Sequence, residues 1–145
     1  MSNLQSYAYP GVGELARKEM SFSQAVRVGD IIHVSGQGGY DRTSAAISAD
    51  VNTEIDQAFG NVEHTLQHAG GKGWSQVYRV RTYSTDLKTT EARLVENFRK
   101  YMPDHYPVWT AVIVTKLGLD DMHFEIEVEA YDPEGAAEAK TGKKI

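Results

Sequence analysis

Residues 124–130, FEIEVEA, carry a carboxylate at every second position: Glu125, Glu127 and Glu129. On a strand this spacing sets the three acids on one face and turns Phe124, Ile126, Val128 and Ala130 to the other, core-facing side. A carboxylate held in a cleft can orient a water molecule and take its proton as a general base. The commoner use of such a row is a solvated or ion-paired strand face. Three like charges at period two repel one another, so cations are expected beside them, and Arg79 and Arg81 are the candidates. The pattern alone does not choose among the three.

Two further stretches could carry chemistry. HVSGQGG, residues 33–39, could be a turn that exposes backbone N–H and C=O groups beside Ser35. It lacks the Lys-Ser/Thr of a phosphate loop and the spacing of a dinucleotide fingerprint, so a simple tight turn is the plainer reading. YPVWTAVIV, residues 106–114, reads as a buried strand after Trp109 but opens on a proline and an indole. The five histidines show no metal spacing. His64 and His68 stand four apart on a helix but in no HExxH pattern, which suits a surface pair better than a zinc site. His33 shares strand parity with Ser35 and is an outside candidate for an acid or base. No Ser/His/Asp order suggests a hydrolase triad, and no metal or cofactor is expected. With no cysteine in the chain, thiolate chemistry and disulfides are excluded.

These residues need a scaffold, and 145 residues suffice for one domain with a real core. The composition, 41% hydrophobic and 24% charged, is that of an ordinary soluble protein. The net charge of −5 argues against a nucleic-acid surface. No run is long enough to span a membrane, and the N-terminus has neither a basic start nor an apolar segment, so a cytoplasmic location is expected.

Residues 22–37 read as two short strands joined at Gly29–Asp30. Residues 36–48 read as a loop. Residues 50–69 form the clearest helix: Val51, Ile55, Phe59, Val62 and Leu66 make one apolar stripe, capped by Asp50 and ended by Gly70–Gly71. The strand that follows puts Arg79, Arg81 and Tyr83 on one face and Tyr78, Val80 and Thr82 on the other. A second helix is expected over 90–102, with Leu94, Val95, Phe98, Tyr101 and Met102 inward and Pro103 stopping it. Two strands complete an α+β domain spanning 1–131, in which 1–19 is an N-terminal extension, and the tail 132–145 has little to bury and is expected to be mobile. Two helices would cover one face of a largely antiparallel sheet. The other face would carry His33, Ser35, Arg79, Arg81, Trp109, Ile113 and the glutamates, and the two apolar residues suit packing against copies of the chain.

Taken together, FSQAVRVGDIIHVSGQGG, VNTEIDQAFGNVEHTLQHAGG, YSTDL, YPVWTAVIVTKL and EIEVEA resemble the Rid/YjgF family of reactive-intermediate deaminases over roughly residues 20–131. The resemblance implies a chorismate-mutase-like fold and a homotrimer whose sheets form a central barrel, with sites in the clefts between subunits. Archetypal members hydrolyse 2-imino or 2-enamino acids to 2-oxo acids and ammonia without a cofactor. By position, Ser35 and Gly36 match the family's turn, Ala111 its carboxylate-holding backbone N–H, and Glu125 or Glu127 its water-placing glutamate. Phe22 stands where the archetype has a tyrosine, and Trp109 where it has the arginine that grips the substrate carboxylate.

An indole offers one neutral donor and a guanidinium a charged fork, so the exchange removes the anion clamp. Losing such a contact costs about 1.5–3 kcal/mol of binding. The expected activity is therefore hydrolysis or tautomerisation of a reactive imine or enamine lacking a clamped carboxylate. Trp109, Phe22 and Tyr83 would form an aromatic wall, and Arg81 could restore a cation. A trimer that binds small ligands or acts as a chaperone without turnover is the alternative, and an endoribonuclease is the weaker one.

Overall fold

The computed structural model of the chain describes residues 2–142. Its centre is the helix expected at 50–69, observed as Val51–His68, with the Asp50 side chain accepting the Thr53 N–H at 2.8 Å. Such a cap contributes about 1 kcal/mol. Ile55, Phe59, Val62 and Leu66 are fully buried against the sheet, as their spacing requires. Phe59 stacks on Trp74 with ring centroids 4.7 Å apart and also meets Phe98, Tyr101 and Phe124. Truncating it to alanine would cost about 3–5 kcal/mol, because that many rings cannot close over the gap.

In chain order the elements are β1 (Gln5–Tyr7), α1 (Val12–Met20), β2 (Ala25–Val28), β3 (Ile31–Gly38), α2 (Val51–His68), β4 (Val77–Ser84), α3 (Leu87–Tyr101), β5 (Val108–Ile113), β6 (Phe124–Tyr131) and α4 (Pro133–Lys140), with a short 3-10 turn at Trp74–Gln76. The six strands form one sheet in the order β1-β2-β3-β6-β4-β5. All neighbours are antiparallel except β4 and β5, which run parallel. The sheet is therefore mixed. The α+β class holds, and α2 and α3 pack together on the core side of the sheet, as expected. Among the described residues no helix is long and apolar enough to cross a membrane.

Several expectations need correction. The N-terminal extension holds β1 and α1, and the supposed tail holds α4, so among the described residues there are four helices rather than two. What the tail buries is charge: Asp132 is 1% exposed and accepts from Arg27 Nη2 at 2.7 Å, from Gln76 Nε2 at 2.8 Å and from the Gly135 N–H at 3.1 Å. A polar network of this kind leaves no hydrophobic periodicity to read. Residues 143–145 lie outside the described residues. Helix α3 begins at Leu87, capped by Asp86, rather than at Thr90.

Strand β3 runs on through Ser35 and Gly36 to Gly38, so the expected turn is a β-bulge. Val34 pairs Val128 and Gln37 pairs Ile126, leaving one extra residue on β3 between them. Tyr78 does not share the face of Val80, because a register shift between Val77 and Arg79 turns it outward to donate to Glu129 at 2.6 Å.

The largest correction concerns β5. Trp109 lies in register with Val80, and Ile113 with Ser84. Both partners are buried on the helix side, so Trp109 and Ile113 point toward the helices and away from the glutamate face. Trp109 Nε1 donates to Thr82 Oγ1 at 3.0 Å, and its ring meets Phe98 of α3 edge-on at 5.4 Å.

Candidate functional site

Strand β6 lies between β3 and β4, and its alternation is as expected: Phe124, Ile126, Val128 and Ala130 are buried while the three glutamates face the other way. Their circumstances differ. Glu129 accepts from Tyr78, lies 3.5 Å from Arg79 Nε and 3.8 Å from His33 Nδ1. Glu127 accepts from Arg81 Nη1 at 2.8 Å and from the Tyr83 hydroxyl at 2.7 Å. That hydrogen bond, and burial after it, raise the Tyr83 phenol above its ordinary range. Glu125 has no hydrogen-bond donor or cation within reach among the described residues. Burial, and next the Glu127 charge, raise its carboxyl above the usual glutamate range.

The bulge explains how Glu125 is accommodated. Its carboxylate lies over Gly36, where any side chain would collide with it. Ser35 holds the bulge: its hydroxyl donates to the Ser23 carbonyl at 2.7 Å and its N–H to the Gln24 carbonyl at 2.9 Å. Gln37, fully buried, donates to Gln24 Oε1 at 2.9 Å and accepts from the Tyr9 and Tyr40 hydroxyls at 3.1 and 3.2 Å. Ser35 is thus committed within the chain rather than offering free groups. Sequence spacing could not reveal this, because both partners lie just before β2 and meet Ser35 only once β2 and β3 pair.

Glu125 lies at one side of a cleft of about 460 Å³. Gly36 and Phe22 line it, as do Val12, Leu15 and Met20 of α1 and Leu119 and Met122 of the loop before β6. The α1 wall went unread in the sequence, although Val12, Leu15, Ala16, Glu19 and Met20 follow helical spacing i, i+3, i+4, i+7, i+8. Also unread was Glu54. Fully buried on α2, it accepts from the N–H groups of His123 and Phe124 at 2.6 and 3.2 Å, and its other oxygen is 2.9 Å from His123 Nδ1. It thereby anchors the entry to β6 immediately before Glu125.

The remaining candidates fall elsewhere. Arg81 is spent on Glu127. His33 lies beside Glu129, four residues from Glu125 or about 13 Å along the strand. Trp109, with Phe98, Met102 and Tyr106, lines a separate apolar pocket of about 520 Å³ at the sheet edge. Within one chain Trp109, Phe22 and Tyr83 therefore do not form a common wall, because Trp109 is on the opposite face of the sheet. Ala111 occupies the unpaired edge. The Val114 N–H donates to the Ser84 carbonyl, so by alternation those of Thr110 and Val112 turn inward and those of Trp109, Ala111 and Ile113 point outward. Among the described residues no three His, Asp or Glu side chains are grouped to hold a metal.

Comparison with known proteins places this geometry in a lineage. The family model described as Endoribonuclease L-PSP matches residues 15–132. The RutC family protein YjgH of Escherichia coli (strain K12) is 36% identical over 118 residues, covering 80% of this chain and 86% of that protein. A solved structure of Protein YJGH superposes with a TM-score of 0.79 at 30% identity, over 92% of this chain and 99% of that one. A 2-iminobutanoate/2-iminopropanoate deaminase of Dermatophagoides farinae is 28% identical over 97 residues, 66% of this chain and 74% of that protein. With a family model spanning most of its length and the matching sheet-and-helix fold, the chain belongs to the Rid/YjgF family.

Proposed function

We propose that the chain catalyses cofactor-independent hydrolysis of a reactive imine or enamine, or its tautomerisation, with Glu125 as the group that orients water and moves the proton. One observation carries this: of three carboxylates on one strand face, only Glu125 lacks a cation or donor, and it opens into the larger, mostly apolar cleft, whereas Glu127 and Glu129 share a small one of about 80 Å³ with Arg79 and Arg81. A carboxylate with a raised pKa and free oxygens is suited to taking a proton from water and returning it to a leaving nitrogen. The similarity to an iminobutanoate deaminase agrees with that chemistry.

The substrate is not a typical 2-imino acid, because Trp109 stands where the resemblance expects the carboxylate-gripping arginine, and Arg81 is paired with Glu127. We further propose that the working unit is a homotrimer with sites between copies. Strand β5 is an open edge with outward N–H groups, and Tyr106, Val108 and Ile113 are exposed beside it. A neighbouring copy docking this edge would bring the Ala111 N–H and the exposed part of Trp109 toward the Glu125 cleft.

The test is a trapping assay. An oxidase generates imines in place, semicarbazide competes for them, and the protein is added beside its Trp109→Arg variant. Faster loss of uncarboxylated imines with wild type, and a gain toward 2-imino acids in Trp109→Arg, is the expected result. Efficient wild-type turnover of 2-imino acids would contradict the missing-clamp assignment, and silence from both proteins would favour a binding trimer. An endoribonuclease is disfavoured by the cleft itself, whose lining carries no histidine, lysine or arginine to meet a phosphate.

A further inference from the structure

Charge in the Glu125 cleft is of one sign. Among its lining residues only Glu19 and Glu125 are ionisable to a full charge near neutrality, and both are acids. Glu19 is exposed, with Lys18 Nζ 3.3 Å away. Glu125 is half-buried and uncompensated, since Arg81 is held by Glu127 and Arg79 lies beside Glu129. The rest of the lining is largely apolar: Val12, Leu15, Met20, Phe22, Leu119 and Met122. An anionic ligand would meet a like charge in a half-desolvated site, whereas a cation with a hydrophobic body would supply the partner that Glu125 lacks.

We infer that the cleft selects hydrophobic iminium ions, the protonated imines formed when primary amines with branched aliphatic or aryl groups are oxidised, over carboxylated imines. The inference rests on the imine hydrolysis proposed above and narrows its substrate class. Water adds to the iminium carbon while Glu125 takes one of its protons, and the C=N electron pair moves to nitrogen, leaving a neutral carbinolamine. Glu125 returns that proton to the nitrogen. The hydroxyl oxygen then forms the carbonyl as the C–N bond breaks, and the departing ammonia carries away the hydroxyl proton. Iminium and water thus become carbonyl compound and ammonium, with no oxidant or reductant consumed. An indole also tolerates a cation that an arginine would repel, so Trp109 at the edge of a neighbouring copy is consistent with the same preference.

The test pairs substrates that differ only by a carboxylate. Isopentylamine and phenethylamine with an amine oxidase are set against leucine and phenylalanine with an amino-acid oxidase, each with semicarbazide as competing trap. Binding of isopentylamine and its neutral isostere isopentanol is followed by NMR on the same protein. Expected are at least tenfold higher kcat/KM for the amine-derived imines, tenfold tighter binding of the amine than of the alcohol, and loss of both preferences in Glu125→Gln. Leu15→Lys, on the exposed side of α1, keeps the test informative should Glu125→Gln fold poorly, and is expected to shift preference toward the carboxylated set. Equal or greater turnover of the carboxylated imines overturns the cation preference and leaves imine hydrolysis standing. Amine binding that depends on Glu125 without turnover of either set keeps the cation site and removes the hydrolase. Neither turnover nor amine binding removes both.

Discussion

Glu125 and Glu127 are the same residue type, two positions apart on one face of one strand, yet their surroundings differ in nearly every respect. Glu127 lies opposite Arg81 in the register and is held by that guanidinium and the Tyr83 hydroxyl. Glu125 lies between Gly38 and Tyr83, over a bulge whose central residue has no side chain, and opens to a cleft. Strand β6 gives both the same direction; the neighbouring strands decide which one is spent on structure. A carboxylate row is thus a set of equivalent positions until cross-strand partners are known, and the functional candidate is the one left unpaired.

The difference predicts unequal mutants. Glu125→Gln should lower the rate by about 10²–10⁴-fold with the melting temperature retained, the range for loss of a general acid or base. Glu127→Gln breaks a largely solvated ion pair, which contributes little, and should change the rate by less than about fivefold. Steady-state trapping kinetics on both variants, with thermal melts alongside, measures this. Equal losses would mean that the two carboxylates act as one unit and would undo the distinction.

Asp132 supplies the buried extreme of the comparison, a carboxylate with every need met. Burial pushes its pKa up, but the Arg27 and Gln76 hydrogen bonds outweigh this and hold it below the ordinary range. A folded pKa below the unfolded one means that the stabilisation is complete above the unfolded value and is lost as pH falls through the folded value. Asp132→Asn should cost about 3–5 kcal/mol near neutrality, because Arg27 stays buried without its counter-ion. The deficit should shrink in acid, where the wild-type carboxylate is also protonated. Denaturant melts at neutral and low pH report both effects, and a constant deficit at all pH values would remove the ion pair as the cause.

How much of this was legible follows from what kind of contact sets each feature. Helix α2 and the alternation of β6 are written in apolar periodicity, because burial against a flat sheet selects one face, and both were read with their faces correct. Trp109 was assigned the wrong face. Parity within β5 says that Trp109, Ala111 and Ile113 share a side, but not which side, and an edge strand exposed on both faces gives no hydrophobic bias to decide it. Helix α4 was missed because its docking rests on one buried ion pair. The choice of Glu125 over Glu127 was left open for a related reason: it depends on a bulge on another strand, and bulges carry no signal in a single sequence beyond a glycine.

Gly36 tests that dependence. Gly36→Ala places a methyl where the Glu125 carboxylate lies, without altering any ionisable group. The carboxylate must swing aside, and a displacement of about 1 Å from the productive position can cost about 10²-fold. The expected signature is a fall in kcat with little change in Glu127-dependent behaviour. A Gly36→Ala variant with full activity would show that Glu125 need not sit over the bulge.

The smallest effect is the most specific. Glu125 must be ionised to take a proton from water, so the rate should fall as pH drops through its folded pKa, which burial and then the Glu127 charge raise above the usual glutamate value. Removing a negative neighbour makes ionisation easier, so Glu127→Gln should move this acid limb to lower pH. The groups facing Glu125 limit what else could shift it. Tyr40 stays neutral through this range, its phenol raised chiefly by burial, and Glu19 is an exposed acid whose charge is partly offset by Lys18. Arg81 adds to the shift, since freed from Glu127 it remains a cation on the same sheet face and would pull the limb further in the same direction. The paired variant Glu127→Gln/Arg81→Gln separates the two: a limb that stays low reflects the lost glutamate charge, and one that returns to the wild-type position reflects the freed arginine. A limb that does not move in either variant would mean that the titrating group is not Glu125.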